Sequence, residues 1–254
     1  MTTSLSPLAP RELVIDPGAF AVLPALQVHG VVIRGYADAA ARVSLAPLLT
    51  QIEAMMADAP AMAADVPLIA AWREAYRAMG LKPSKYRCSI EALWRRARKD
   101  PRDWLTGLAG VDVYNALSLL HTVPAGVQDL AKLPVRDGDE KGIGVPYVLR
   151  GLDPERDTFM PLGQNTYRLS AQLLGFTLGH EVVCWALNHR DSQRFCLQED
   201  TADAIIFSEG TTHEQSEASQ RMLEALADLL TEQGAQCGAI ITANQDNPRQ
   251  RLVA

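Results

Sequence analysis

Residues Val111 to Asn115 read V-D-V-Y-N, and Leu117 and Leu120 continue the run as the apolar face of a helix that starts near Asp112. Upstream, Trp72 to Arg87 reads W-R-E-A-Y-R-A-M-G-L-K-P-S-K-Y-R. There Leu68, Trp72, Tyr76 and Met79 share one helix face, and Gly80 supplies a left-handed stop. Downstream, Asn188 to Ser192 reads N-H-R-D-S and leaves the apolar run Glu181 to Leu187, E-V-V-C-W-A-L. A continuous apolar run this short is expected to be a central strand buried on both faces. A polar corner on such a strand is a rigid base for binding groups.

Working outward, Leu26 to Ile33 predicts a strand and Pro47 to Met56 a helix. The loop Lys82-Pro83-Ser84-Lys85 precedes a helix that Ser89 is placed to cap and that Asp100-Pro101 ends. Arg194 to Leu197 and Ala204 to Phe207 are expected strands, Glu214 to Gln233 a helix, Gly238 to Thr242 a last strand, and Asn244 to Ala254 a frayed tail. A bend is expected at Gly142-Ile143-Gly144; with one G-x-G and no helix after it, it is no dinucleotide site.

The 254 residues, 48% hydrophobic and 21% charged, have the composition of an ordinary globular protein. No apolar run approaches a membrane span, and the first ten residues lack the basic and apolar regions of a signal peptide, so a cytoplasmic, non-membrane protein is expected. The four cysteines have no C-x-x-C spacing and read as free thiols. The five histidines lack ligand spacing to one another or to cysteine, so no metal and no other cofactor is expected. No G-x-S-x-G, H-E-x-x-H or Walker A motif occurs.

A net charge of −6 argues against a generic nucleic-acid binder, and DNA is not an expected partner. The charge is uneven, however. Between Arg73 and Arg102 ten basic residues face only Glu74, Glu91 and Asp100, with Trp72, Tyr76, Tyr86 and Trp94 among them. Such a run is either a solvated helix face or a surface for phosphates and stacked bases.

Asp112 is simplest as a first-turn acid answering the helix dipole. Asn115, inside an otherwise apolar helix, needs partners; its amide can donate to an ester carbonyl and accept from a ribose hydroxyl. Ser118 lies on the same face one turn on, and His121 follows; a lone histidine there is either structural or a group that orients a water. Asp191 and Ser192 either cap a turn or bind a ligand. Glu199-Asp200 with Glu209 is a further acid–base candidate, although Glu199-Asp200-Thr201 also reads as a helix start.

The three stretches, in this order and spacing, resemble the B3/B4 domain over roughly Val66 to Gly210. That domain sits within the β subunit of phenylalanyl-tRNA synthetase, where it hydrolyses wrongly charged aminoacyl-tRNA, and it also occurs free-standing. The resemblance implies an α+β fold of mixed β-sheets layered with helices. The expected organisation is an N-terminal strand–helix extension over 1–64, the B3/B4-like domain over 65–243 and the tail over 244–254. It matches Asn115 to the asparagine of the family's V-D-x-x-N run, and Asn188, Arg190, Asp191 and Ser192 to a W-N-x-R-D-S run of free-standing members. Leu187 departs from that tryptophan, and Phe195-Cys196-Leu197-Gln198 departs from threonine-rich sequence.

The implied function is deacylation of misacylated tRNA in trans by a positioned water. Asn115, Ser118 and Asp191 would be catalytic, and Asp112, His121, Asn188, Arg190 and Ser192 substrate-binding. Lys82, Lys85 and Arg87 would meet the tRNA, whose aminoacylated 3′ end is the expected partner. Two other readings stay open: a non-catalytic module binding tRNA or a small molecule, and a hydrolase of small amino-acid esters or amides.

Overall fold

The computed structural model describes residues 11–135 and 144–253. The chain runs β1 (Arg11–Ile15), α1 (Pro17–Val22), β2 (Gln27–Arg34), α2 (Tyr36–Arg42), α3 (Ala46–Asp58), α4 (Pro67–Ala78), α5 (Ser89–Lys99) and α6 (Ala109–His121). It continues through β3 (Gly126–Asp129), β4 (Tyr147–Gly151), β5 (Leu174–Leu178), β6 (Glu181–Trp185), β7 (Arg190–Asp191) and β8 (Ala204–Gly210). It ends with α7 (His213–Glu232), β9 (Gln236–Cys237), β10 (Ile241–Ala243) and β11 (Arg249–Leu252). The fold is α+β with two sheets. One has the order β11-β1-β4-β5-β6-β7, antiparallel except for the parallel β1–β4 pair; the other, β10-β2-β8-β3, is antiparallel throughout.

The sheets meet through aromatic side chains. Phe207 of β8 stacks on Phe176 of β5 at 5.5 Å between ring centroids and meets Tyr147 of β4 edge-on at 4.9 Å. Gly30 in β2 makes room for this ring, because a Cβ there would sit 2.7 Å from it. Helices α4 and α5 close this core with Trp72, Tyr76, Ile90 and Trp94, while α7 covers the second sheet with Met222, Leu223, Leu226 and Leu230. Burying each such large side chain is worth about 1.5–3 kcal/mol, so the helices are held by packing as much as by propensity.

Several elements form as their residues predict: β2, α3, α4 with Gly80 at φ +74°, α6 and α7. Others differ. Ser89 is the first residue of α5 rather than its cap; Cys88 holds the cap position and the Ser89 hydroxyl bonds nothing. Arg194 and Phe195 lie in a turn following the corner, and Cys196 and Leu197 join no strand even though inward and outward residues alternate there. The expected tail forms β11 on β1, and β1 and β2, from the expected extension, pair with β4 and β8. Gly142 and Ile143 of the expected bend lie outside the described residues.

Candidate active site

Strand β6 keeps Val182, Val183, Cys184 and Trp185 buried and then turns sharply. Ala186 and Leu187 both take left-handed backbone, φ 54° and 63°. Two consecutive non-glycine residues in that region cost about 1–2 kcal/mol each, which the surrounding contacts must offset. The turn drives Asn188 inward and presents His189, Arg190 and Asp191 around a small cavity of about 90 Å³. Its other walls come from Gln128 of β3, Phe176 of β5, Phe207 and Glu209 of β8, and Ser89 at the start of α5. The corner is pinned to that helix: the Ser89 amide donates to the Asn188 carbonyl (3.1 Å), and His189 Nδ1 donates to the Arg87 carbonyl (2.6 Å).

The cavity is rich in acceptors. Asn188 Nδ2 donates to Glu209 Oε2 (3.2 Å), and the Tyr76 hydroxyl lies 3.1 Å from Asn188 Oδ1 and 3.0 Å from the Ala186 carbonyl. Burial pushes the Glu209 carboxyl up to about 8, against the Asn188 hydrogen bond, and the Asp191 charge raises it further. Burial also raises Asp191, opposed by the Cys184 thiol and the Arg190 charge. Asp191 Oδ1 and Gln128 Oε1 are out of solvent and accept no hydrogen bond. Burial lowers His189, so its imidazole is neutral at pH 7; with Nδ1 committed to a carbonyl, Nε2 carries the free lone pair.

A larger cleft of about 690 Å³ opens from this cavity and shares Ser89, Ala125, His189, Arg190 and Asp191 with it. Its sides carry Arg87, Arg95, Arg96 and Lys99, and α6 lends Asn115 and Ser118. Beside the mouth lies a third hollow of about 470 Å³, lined by Lys85, Tyr86, Tyr167, His189 and Arg190 among others. Here Tyr86, Tyr167, Trp185 and His189 form a ring cluster with centroid separations of 4.9–5.6 Å, and Arg190 Nε donates to the Tyr167 hydroxyl (3.1 Å).

The structure thus brings Asn115, Ser118, Asn188, Arg190 and Asp191 to one cleft-and-cavity system and leaves other expected residues outside it. Among the described residues the Asn115 amide has no hydrogen-bond partner. The Ser118 hydroxyl, by contrast, donates to the Val123 carbonyl. Asp112 faces backward: its carboxylate accepts from Thr106 N and Oγ1 (both 2.7 Å) and from Gly107 N (3.0 Å), holding the loop before α6. His121 sits at the far end of α6 near Arg221, outside the cleft and cavity. Ser192 is buried, and its hydroxyl accepts from the Arg194 amide (3.3 Å). Lys85 and Arg87 stand at the mouth, whereas Lys82 is exposed and lines none of these spaces. Glu199 and Asp200 are exposed, with no helix beginning there.

Residues not singled out by sequence reasoning are Gln128, Tyr167 and His189 as site groups, and Glu209 apart from its weaker pairing; Tyr76 and Tyr86 stand out only as aromatics within the basic run. One signal was available: Glu209 is the only acid in A-I-I-F-S-E-G, a strand otherwise too apolar to have a wet face. Among the described residues no cluster of three or more His, Cys, Asp or Glu is placed to hold a metal ion, and no helix is long and apolar enough to cross a membrane.

Fold and site together define a two-sheet α+β protein with a polar, carboxyl-lined cavity under a basic cleft. A B3/4 domain family model matches residues 71–235, and the chain belongs to that family. No curated protein matches it. Among solved structures it is similar to an N-terminal fragment of the phenylalanyl-tRNA synthetase β-subunit from Pyrococcus horikoshii. The two are 12% identical with a TM-score of 0.40, and the match covers 91% of this chain and 53% of the other, about half its length.

Proposed function

We propose that the protein hydrolyses the ester of a misacylated tRNA in trans. The observation that carries the reading is a buried acceptor-rich cavity that shares His189, Arg190 and Asp191 as walls with a cleft lined with arginine and lysine. The aminoacyl group enters the cavity, where Asp191 Oδ1 and Gln128 Oε1 need donors and an α-ammonium brings them. The terminal adenine stacks on Tyr86 or Tyr167, and phosphates meet Lys85 and Arg87.

His189 Nε2 takes a proton from a water as its oxygen adds to the ester carbonyl. The same proton passes to the ribose oxygen as the acyl–oxygen bond breaks. Asn115, with its amide unpaired, donates to the carbonyl oxygen as negative charge grows there. Incubating the protein with a panel of charged tRNAs tests the reading: one or more must lose its amino acid faster than without protein. Binding without deacylation selects the non-catalytic module. Turnover of small aminoacyl esters alone selects the small-molecule hydrolase.

A further inference from the structure

Helix α5 borders a further cleft beside the one assigned to the proposed reaction. Glu91, Trp94, Arg95 and Arg98 recur at helical spacing along it, and with Arg73 of α4 and residues 61–64 they enclose about 570 Å³, sharing Arg87, Arg95 and Lys99 with the larger cleft. That volume falls within the range of about 300–1,000 Å³ common for small-molecule sites. Its chemistry is graded from rim to floor. Arg95, Arg98 and Lys99 are exposed at the rim, and Ala61, Met62, Ala63, Ala64 and Trp94 form an apolar wall on which the Met62 side chain is 63% exposed.

Glu91 stands at the floor, 1% exposed. Its Oε1 pairs with Arg73 at 2.7 Å and lies 3.8 Å from Arg87 Nε, while Oε2 accepts no hydrogen bond and Arg87 Nε donates none. A buried carboxylate oxygen without a donor is costly, and a ligand that brings an N–H removes that cost.

From this gradient we infer that the cleft binds one nucleotide. The phosphate sits on Arg95, Arg98 and Lys99. The base lies against the apolar wall and donates an exocyclic N–H to Glu91 Oε2. A bare anion does not suit the floor, where a carboxylate would repel it; an apolar ligand leaves the rim charges unused. The source is either a free mononucleotide or a nucleotide within RNA, and the inference stands apart from the hydrolysis proposed above, because Arg98 and Glu91 line only this cleft.

Isothermal titration with AMP, purine riboside 5′-monophosphate (which lacks the exocyclic amine), ribose 5-phosphate and inorganic phosphate tests it. AMP should bind one site saturably, and the amine-less analogue about tenfold or more weakly, since the site's acceptor is then left unpaired. Arg98→Ala, a change on the exposed surface, should weaken AMP at least about fivefold with the melting temperature unchanged, the loss of one phosphate contact. Glu91→Gln should narrow the gap between AMP and the analogue. Displacement of AMP by a short single-stranded RNA assigns the site to a nucleotide within RNA; failure to displace assigns it to a free mononucleotide. Equal affinity for phosphate and AMP makes the cleft an anion patch and overturns the inference. So does an absence of binding at about 10 mM AMP, or an Arg98→Ala protein that binds as well as the parent.

Discussion

Asn188 joins the corner after β6 to Glu209 of β8 through a single hydrogen bond of 3.2 Å, and so ties the polar turn of one sheet to the most buried acid of the other. The amide uses both ends, since Oδ1 lies within reach of the Tyr76 hydroxyl at 3.1 Å. Asn188→Ala therefore leaves Glu209 Oε2 without its donor, while the Tyr76 hydroxyl keeps the Ala186 carbonyl as its acceptor. It should cost about 1–3 kcal/mol for the buried group left unpaired, measured by urea unfolding. A loss below half a kcal/mol would show that the three groups are not coupled in solution.

The raised Glu209 pKa sets a pH dependence of stability with a definite sign. Below about 4.5 the carboxyl is protonated in both folded and unfolded chains. Between there and about 8 the unfolded chain has released its proton and the folded one has not. Stability from this group is therefore present in acid and lost as pH rises, by up to about 1.4 kcal/mol per pH unit. Glu209→Gln keeps an acceptor for Asn188 and removes the titration. The variant should gain on the parent steadily from pH 5 to pH 8 in urea midpoint. Parallel curves across that range would mean that Glu209 titrates as an ordinary surface acid.

What was legible in the sequence follows from which forces are local. The helix α4 with its glycine stop, the long helix α7 and the apolar strand β6 depend on periodicity and composition within a dozen residues, and they form where expected. The pairing of β11 with β1 joins residues more than two hundred apart, and no local pattern marks it. The same division holds for the site. Asn115, Asn188 and Asp191 stood out as polar groups in apolar surroundings. Gln128 and Tyr167 look ordinary in their own segments, and only the packing of β3 and the loop before β5 brings them to the corner. Asp112 and Ser192 looked equally polar, yet neighbouring backbone engages both.

His189 gives the reaction its own pH signature. Burial, together with the charges of Arg190 and Arg87, lowers its pKa below the ordinary value of 6.5, against the pull of the Arg87 carbonyl. The neutral form is the active one, so kcat/KM for deacylation should rise with pH along a limb centred below 6.5. His189→Ala should lose about 10²–10⁴ in kcat and abolish the limb. A variant that retains the limb would move the base to another group.

Asn115→Ala tests the polar helix face. The amide projects into the cleft without a partner, so its removal strands nothing and should leave the melting temperature within a degree or two. If it stabilises the developing oxyanion, kcat should fall about 10²–10³-fold with KM little changed. Earlier melting with full activity per folded molecule would make it a structural amide.

The basic run offers the test of whether RNA is the partner, and the structure divides the three residues expected to meet it. Lys85 lies over the Tyr86 ring at 5.1 Å and, with Arg87, lines the mouth; Lys82 is exposed and lines neither the cavity nor the clefts beside it. Each single-stranded phosphate contact contributes about 0.7 to the slope of log affinity against log salt. Replacing Lys85 and Arg87 with glutamine should therefore make the slope for tRNA shallower by about 1.4, and adding Lys82→Gln should change it by less than another 0.7. Arg87 also stands beside Glu91, so Lys85→Gln alone serves as the control for a disturbed helix start. Turnover of a small aminoacyl ester without the tRNA body should stay near the parent rate, because both charges lie outside the cavity that takes the aminoacyl group. Unchanged affinity and slope in all three variants would leave the run a solvated helix face, and the substrate would then be a small ester rather than a tRNA.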